Sequence, residues 1–275
     1  MQKFSYHTHT PFSDGTNTIE EMLEYAVKLG WEEIGISDHL VIHKNIRNAE
    51  YFGYERNNVF VFEDFESALK ASNAHVEKIK EAARKYPLKV HTGFEVDYFP
   101  YQGWEESFKQ LKSKSKADYF INGNHLFFDE KCEKLIGIND PHAQRFNDTA
   151  KAEHISRHFQ TIKKAIESGL YDFIAHVDYV RGTGFMEERD FEKEIMDIIK
   201  ALVQNKIPTE INTKSYQKLG YFMPIRWILE ELRDHNIPIV ISDDAHNINE
   251  LSNHFEKAEQ HLTKLNYINR FQMKL

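Results

Sequence analysis

Short apolar runs alternate with helix-like stretches along this sequence, and that alternation constrains the fold more than any other feature. Seven runs, among them EIGIS at 33–37 and IPIVIS at 237–242, have the nearly continuous apolar character of strands buried on both faces. Strands that alternate with helices favour a parallel sheet covered by helices. The predicted strands are residues 4–7, 33–37, 88–96, 118–122, 172–176, 207–212 and 237–242, with 267–271 as a further short candidate. The predicted helices begin with one between a Thr18/Glu21 capping box and Gly30, and continue with residues 65–85, 104–112, 148–168, 191–204, 224–235 and 249–264.

The bulk properties are those of an ordinary globular protein. A length of 275 residues suffices for one large α/β domain or two small ones, and we expect a single domain over 1–275. A net charge of −8 without a long basic run argues against nucleic acid as a partner. No window approaches the roughly 18 apolar residues of a membrane span, and the N-terminus lacks the apolar region of a signal peptide, so we expect no membrane association. The lone cysteine, Cys132, excludes an internal disulfide framework and favours a cytoplasmic location.

The first predicted strand leads into the triplet His-Thr-His at 7–9. Side chains two residues apart in a strand point to the same face, so the two imidazoles form half of a metal site. Such a pair alone is weak evidence, because an exposed turn can also carry two histidines. The chain contains 15 histidines, and several follow later strands, which favours the metal site. We interpret His91 as structural, and His154 with His158 as part of a solvated helix face.

Ionisable residues also follow most of the other predicted strands. An open sheet gathers its site at one switch point, whereas a closed barrel gathers residues from many strand ends at its C-terminal face. Because the candidates follow the first, second, third, fourth, fifth and seventh strands, a barrel is favoured over a doubly wound sheet. Together they indicate a multinuclear metal centre. The candidates are His7, His9, His39, Glu95, His125, His176, Asp244 and His246.

Three carboxylates leave alternatives open. Asp14 lies in Ser-Asp-Gly, which is as typical of a plain turn as of a ligand. Glu95 ends an apolar strand, so its carboxylate must be paired or bound to a metal; Asp97, on the same strand face, competes with it. Asp243 competes with Asp244, although it points the other way if the chain stays extended.

In their order along the chain, these motifs resemble those of the polymerase and histidinol phosphatase (PHP) superfamily. The resemblance runs from residue 3 to about 250, and its HTHTPFSDG, GFEVDY and EIN segments look like those of stand-alone histidinol-phosphate phosphatases. One departure is Asp14, where several relatives carry His, and another is the Asn-Gly-Asn before His125. The motifs are His7-Thr8-His9-Thr10, Ser37-Asp38-His39, Gly93 to Asp97, Asp118 to His125, Ala175 to Asp178, and Asp244-Ala245-His246.

The resemblance implies an α/β fold of the distorted (β/α)7 barrel type, TIM-like, with a trinuclear metal centre. Mixed imidazole and carboxylate donors suit Zn, Mn or Fe rather than Mg or Ca. The metals would also explain how an acidic chain binds a phosphate dianion. Carried over by motif, one metal would take His7, His9, Glu95 and Asp244, a second would take Glu95, His125 and His176, and a third would take Asp14, His39 and His246.

The activity that the resemblance implies is hydrolysis of a phosphate monoester, L-histidinol phosphate, by a metal-bridging hydroxide. Glu95 would bridge two metals, and Asp244 and His246 are the nearest candidates to help the leaving group. Two alternatives stay open. The chain could be a PHP-type phosphoesterase acting on nucleotides or another small phosphate ester, or a metal-binding accessory domain without turnover.

Substrate contacts beyond the metals are sought among basic residues and long loops. Arg181, shortly after the fifth strand, is the first candidate to bind the phosphate, and Lys214, just past the sixth strand, is the second. The segments 43–64 and 127–147 are long, aromatic and without clear periodicity, and loops of this length on a compact barrel are often functional. We expect them to wall the pocket and to recognise the amino-imidazole end of the substrate, with contacts from Tyr51, Tyr54 and Arg56.

Overall fold

A computed structural model describes residues 2–45, 61–129, 134–138 and 147–274. Its strands are β1 (Glu33–Ile42), β2 (Val61–Phe62), β3 (Lys89–Val96), β4 (Tyr119–Asn122), β5 (Leu126–Asp129), β6 (Lys134–Gly137), β7 (Phe173–Ile174), β8 (Thr209–Asn212) and β9 (Ile239–Ser242). Its α-helices are α1 (Ile19–Lys28), α2 (Phe65–Ala83), α3 (Trp104–Lys114), α4 (Asp148–Glu167), α5 (Glu192–Asn205), α6 (Lys214–Leu219), α7 (Arg226–Asp234) and α8 (Phe255–Lys264). Two 3₁₀ turns span Tyr179–Thr183 and Ile248–Glu250.

Seven strands form one parallel sheet in the order β2-β1-β3-β4-β7-β8-β9. The helices that alternate with these strands cover the outer face, as nearly continuous apolar strands require. Since all the strands run the same way, their carboxyl ends lie at one edge. The strands β5 and β6 form a separate antiparallel hairpin beyond β4.

The N-terminal residues 5–10 close this sheet. On one side, Gly35 N donates to Ser5 O at 2.7 Å and Ser37 N donates to Thr8 O at 2.8 Å. On the other side, His9 N donates to Ala245 O at 2.8 Å, just past β9. Among the described strands, β2 pairs only with the end of β1, so residues 5–10 and the six strands β1, β3, β4, β7, β8 and β9 give seven strand-like segments around one interior. The distorted (β/α)7 barrel predicted from the sequence is confirmed.

Aromatic side chains fill the barrel interior towards the N-terminal ends of the strands. Tyr6, Tyr119 and Phe173 are buried there together with Met273 from the C-terminal segment. The Tyr119 ring lies directly against the backbone of β3, where a Cβ on Gly93 would come within 2.4 Å of two ring atoms. A larger apolar cluster lies outside the barrel, between the strands and the helices. The interior is therefore solid below the rim at which the predicted ligands lie.

Several predicted boundaries are wrong. The strand predicted to end at Ser37 continues to Ile42, because its later residues pair with β3 as far as Val96 and with β2. The last helix begins at Phe255 rather than at residue 249, since a 3₁₀ turn and a bend precede it. Of the long segment 127–147, the described part forms the β5–β6 hairpin. Among the described residues, no helix combines the length and the apolar character needed to cross a bilayer.

Candidate metal centre

The nine predicted ligands converge at the C-terminal rim of the barrel. They come from seven separate parts of the chain, and all except Asp14 and His246 are buried. Residues 5–10 supply the first two ligands, β1 and β3 supply one each from within the strand, and the loops after β4, β7 and β9 supply four more, while Asp14 lies on the turn after residues 5–10. The set is His7, His9, Asp14, His39, Glu95, His125, His176, Asp244 and His246.

Glu95 lies at the centre of this cluster. Its Oε2 faces His7 Nε2 at 3.1 Å, His9 Nε2 at 3.6 Å and His39 Nδ1 at 3.0 Å. Its Oε1 faces His176 Nε2 at 3.0 Å and His125 Nε2 at 3.6 Å. Because each oxygen of the carboxylate faces a different set of imidazoles, Glu95 has the geometry of a ligand that bridges two cations.

Asp14 and His246 form a second focus on the outer side of the cluster. Asp14 Oδ1 is 3.2 Å from His246 Nε2, 3.6 Å from His39 Nε2 and 3.9 Å from His9 Nδ1. The His9 ring lies between those of His246 and His39, with centroid distances of 4.1 and 4.4 Å. Of the two sequence alternatives for Asp14, this geometry favours the ligand.

Within the part of the chain that the structure describes, there are four groups of three or four potential ligand atoms that lie within 4.8 Å of one another. They overlap with the division implied by the family resemblance but do not reproduce it. His9 is shared between two groups, and His176 approaches His7 and Asp244 as well as Glu95. The groups are His9-Asp14-His39-His246, His7-His9-Glu95, His7-His176-Asp244 and His39-Glu95-His125.

The donor atoms in this cluster fit metal ions better than they fit one another. Although His7 Nε2 is 3.1 Å from Glu95 Oε2, neither atom has a hydrogen bond of acceptable geometry within the described chain. Both ring nitrogens of His9 are likewise buried without a hydrogen bond among the described residues. Buried polar atoms are normally satisfied, so several that are aimed at common points indicate sites for cations.

The cluster's electrostatics keep its carboxylates ionised and one imidazole neutral. Burial opposes ionisation of Glu95, but His7, His125 and His39 outweigh it and hold the pKa well below its usual value. Burial, together with the nearby His246 and His39, lowers the pKa of His9 to about 3. For His7, burial lowers the pKa, yet Glu95, Glu210 and Asp244 raise it well above the ordinary value. Ionised carboxylates and neutral imidazoles are the forms that bind metals.

The backbone is strained or crowded at three points of the centre. His176 has φ 21° and Asp244 has φ 49°, and sparsely populated conformations of this kind cost on the order of 1–3 kcal/mol each. Gly123 lies so close to Glu95 that a Cβ there would be 1.6 Å from Glu95 Oε1. Only glycine therefore leaves room for the carboxylate in its present position.

Two buried carboxylates support the ligands from behind. Asp38 accepts hydrogen bonds from Thr10, Ser13 and the His75 Nε2 at 2.7–2.8 Å, and so holds the turn that carries Asp14. Asp97 accepts from the backbone N–H groups of His125 and Leu126, and its other oxygen lies 3.5 Å from His125 Nδ1. Asp97, the sequence competitor of Glu95, thus faces the back of a ligand.

Sequence reasoning gave no role to Glu210 and Asn212, which the structure places directly behind the cluster. Both are buried on β8, the one strand of the described barrel to which no ligand was assigned. Glu210 Oε2 is 3.0 Å from His7 Nδ1, and the Asn212 amide donates to Asp244 Oδ2 at 3.2 Å. A glutamate within an apolar strand, the signal used for Glu95, was also present here.

A cavity of about 330 Å³ opens beside the cluster. Lys214 contributes to its wall, with its Nζ 3.4 Å from Asp244 Oδ1 and close to the ring of His246. The cavity is otherwise lined mainly by aromatic, aliphatic and small polar side chains. The lining includes Ile138, His176, Tyr179, Thr183, Phe185, Met223 and Asp244.

Arg181, the first sequence candidate for the phosphate, does not line this cavity. Its side chain is buried, and it donates from Nε to Asp178 at 3.2 Å and from Nη1 to the Glu187 carbonyl at 2.9 Å. These contacts hold the turn after β7. Tyr51, Tyr54 and Arg56 lie outside the described residues.

The chain is similar over nearly its whole length to two curated proteins. The chain is 26% identical over 267 residues to a Thermotoga maritima protein named "Probable histidinol-phosphatase", covering 95% of this chain and 91% of the relative. It is 21% identical over 272 residues to the Bacillus subtilis histidinol-phosphatase, covering 93% of this chain and 98% of that protein.

The fold is also that of a solved structure, the histidinol phosphate phosphatase of Lactococcus lactis in complex with zinc, L-histidinol and phosphate. The TM-score is 0.71 at 16% identity, covering 98% of this chain and 95% of the other. The family model for the PHP domain matches residues 5–214, which include seven of the nine converging residues. The chain belongs to the PHP domain family.

Proposed function

We propose that this chain is a metal-dependent phosphomonoesterase that hydrolyses L-histidinol phosphate to L-histidinol and phosphate. The observation that carries the proposal is the Glu95 carboxylate set among five imidazoles at the rim of the barrel, beside a cavity. The choice of substrate is supported by the relatives, which are named as histidinol phosphatases, one of them in complex with L-histidinol and phosphate. We treat residues 1–275 as one catalytic unit, and Cys132 as support for a reducing, cytoplasmic location.

We propose three metal ions at the centre, with zinc preferred and manganese or iron as alternatives. The zinc in the Lactococcus lactis complex supports that preference. When bound, such ions activate a water at neutral pH and neutralise charge on the phosphoryl oxygens. Glu95 and the four groups of donors described above would hold them.

The chain's own residues then orient the ester and manage its proton. Hydrolysis breaks the bond between phosphorus and the histidinol oxygen, joins a water oxygen to phosphorus, and delivers one proton to the departing oxygen. Asp244 lines the cavity, and His246 adjoins it through the Nζ of Lys214. We assign proton delivery to His246 or to Asp244, the two candidates from the sequence; Asp244, which is ionised, would first take the proton that the attacking water loses.

The cavity accounts for binding at both ends of the substrate. Lys214 supplies the positive charge that would contact phosphoryl oxygens, and it replaces Arg181 as the proposed phosphate ligand. Tyr179, Phe185 and Met223 give an apolar wall on which the flat imidazole of histidinol would pack.

Phosphate release from purified protein tests this function. We expect the kcat/KM for L-histidinol phosphate to exceed that for 3′- and 5′-nucleotides by at least about 100-fold. Chelation should abolish turnover, and added Zn²⁺, Mn²⁺ or Fe²⁺ should restore it. His9→Ala and Glu95→Ala should be inactive, while Glu33→Gln, at the other end of the barrel, serves as a folded control.

Two results would contradict the proposal. A preference for nucleotides or another phosphate ester would assign the chain to a different PHP phosphoesterase activity. A protein that binds metal but releases no phosphate from any ester would be an accessory domain.

A further inference from the structure

We infer that Glu210, assisted by Asn212, is a positioning residue that aligns three ligands of the metal centre from the one barrel strand that supplies none. The inference rests on the proposed metal centre. Both side chains lie on β8, both are buried, and Glu210 belongs to none of the four groups of donors among the described residues. Their contacts lead instead to His7, His176 and Asp244.

The first contact fixes the orientation of the His7 ring. The Glu210 oxygens lie 3.0 and 3.3 Å from His7 Nδ1, so the carboxylate accepts the Nδ1–H. In the neutral ring, the form that binds a metal, the lone pair is then on Nε2, the nitrogen that faces Glu95 and Asp244 at 3.1 and 3.7 Å. A carboxylate behind a metal-binding histidine selects the ring tautomer and its angle in this way.

The second and third contacts stabilise the two ligands with unusual backbones. Glu210 Oε1 accepts the backbone N–H of His176 at 3.1 Å, where φ is 21°. The Asn212 amide donates both to Glu210 Oε1 at 2.9 Å and to Asp244 Oδ2 at 3.2 Å, and Asp244 has φ 49°. Strained positions persist where surrounding contacts over-determine them. The Glu210–Asn212 pair provides such contacts at both positions.

Purely structural pairs of the same kind exist elsewhere in this chain. Glu33 and His91 form a buried carboxylate–imidazole pair at 2.8 Å near the N-terminal ends of β1 and β3. Glu33→Gln therefore removes a similar interaction at the far end of the barrel, and it is a matched control for Glu210→Gln.

The experiment compares wild type, Glu210→Gln, Asn212→Ala and Glu33→Gln by competition with a chromophoric chelator for Zn²⁺, together with apo-protein thermal unfolding. We expect Glu210→Gln to bind Zn²⁺ about 10- to 100-fold more weakly, and Asn212→Ala about 10-fold more weakly. Glu33→Gln should keep the wild-type Zn²⁺ affinity even when it lowers the unfolding temperature of the apo-protein as much as Glu210→Gln does. Glu210→Asp, with the charge retained on a shorter arm, should fall between Glu210→Gln and wild type.

Two results overturn the inference. One is wild-type Zn²⁺ affinity in folded Glu210→Gln, and the other is an equal loss of affinity in Glu33→Gln. If Glu210→Gln does not fold, Asn212→Ala decides on the same criteria. A wild-type protein that binds no Zn²⁺, Mn²⁺ or Fe²⁺ would instead remove the proposed function, so the two failures are distinguishable.

Discussion

The two ends of the barrel both bury imidazoles against carboxylates, but they pair them differently. At the N-terminal end, Glu33 accepts hydrogen bonds from the Tyr6 hydroxyl at 2.7 Å, the His91 ring at 2.8 Å and the Gln272 amide at 2.7 Å. At the C-terminal rim, Glu95 faces five imidazoles, and its Oε2 has no hydrogen bond of acceptable geometry in the described chain. A carboxylate whose oxygens accept hydrogen bonds from its neighbours stabilises the fold. Ligand atoms that lie close together without hydrogen bonds are instead arranged to bind a metal ion.

The largest effect is expected from removing the shared carboxylate. Glu95→Ala should lower kcat for the phosphate ester by about 10³-fold or more, since the imidazoles lose their common partner and metal binding fails. Activity and metal content per chain, measured by elemental analysis, check this prediction. Activity that survives in Glu95→Ala would place the centre elsewhere.

A smaller loss is expected from crowding the same carboxylate without removing it. Gly123→Ala places a methyl group where it would lie 1.6 Å from Glu95 Oε1, so the carboxylate must move. We expect activity to fall by about 100-fold, because ångström-scale misplacement has effects of that size. Gly169→Ala is the control: φ is 64° and the space is open there, so it should cost about 1 kcal/mol of stability and leave activity unchanged. Equal activity of the two variants would contradict the proposed position of Glu95.

At the N-terminal end of the barrel, we expect a substitution to lower stability and to leave activity unchanged. Glu33→Gln should lower the free energy of unfolding by about 1–3 kcal/mol. The new NH₂ group takes the place of a carboxylate oxygen and faces hydrogen-bond donors, with which it cannot pair. Its kcat and KM should stay within about twofold of wild type at full metal loading, since the change is far from the rim. Denaturant unfolding and phosphate release measure the two quantities. A large loss of activity in a stably folded variant would break the distinction between the two ends.

The smallest effect concerns a buried imidazole that belongs to neither type of site. His158, on α4, is buried, so the solvated helix face predicted for it is wrong. Its Nε2 has no hydrogen bond among the described residues, and burial, with His176 and His125, lowers its pKa to about 3. Between its ordinary pKa near 6.5 and about 3, the unfolded chain binds a proton that the folded chain does not, so this histidine costs stability as the pH falls.

His158→Leu removes that cost. The free energy of unfolding of His158→Leu minus that of wild type should be about 1 kcal/mol larger at pH 5.5 than at pH 7.5. Urea unfolding of both chains at the two pH values measures the difference. A difference that stays constant, or that falls towards pH 5.5, would contradict the lowered pKa.

Much of this arrangement could be predicted because its signals are local. A histidine after an apolar strand, or Glu95 within one, is costly unless it has a partner, and the alternation of strands and helices says where strand ends meet. The barrel prediction is confirmed, and the nine residues do converge, although their roles as ligands stay predictions. The EIN segment at 210–212 carried the same signal as Glu95, but without a neighbouring histidine it was not interpreted.

The remaining features depend on distant contacts or on chain direction. Arg181 follows β7 at a suitable distance, but the 3₁₀ turn that contains it points its guanidinium towards Asp178. The short helix α6 and the β5–β6 hairpin have too few residues for periodicity to show. The extension of β1 to Ile42 results from pairing with two other strands, which sequence spacing does not encode.

Closure of the sheet by residues 5–10 has a consequence for biosynthesis. His7 and His9 leave the ribosome roughly 230 residues before Asp244 and His246, which complete their surroundings. A chain interrupted during translation has the earliest histidines without those latest partners. The proposed metal centre would therefore be completed only after synthesis has passed β9.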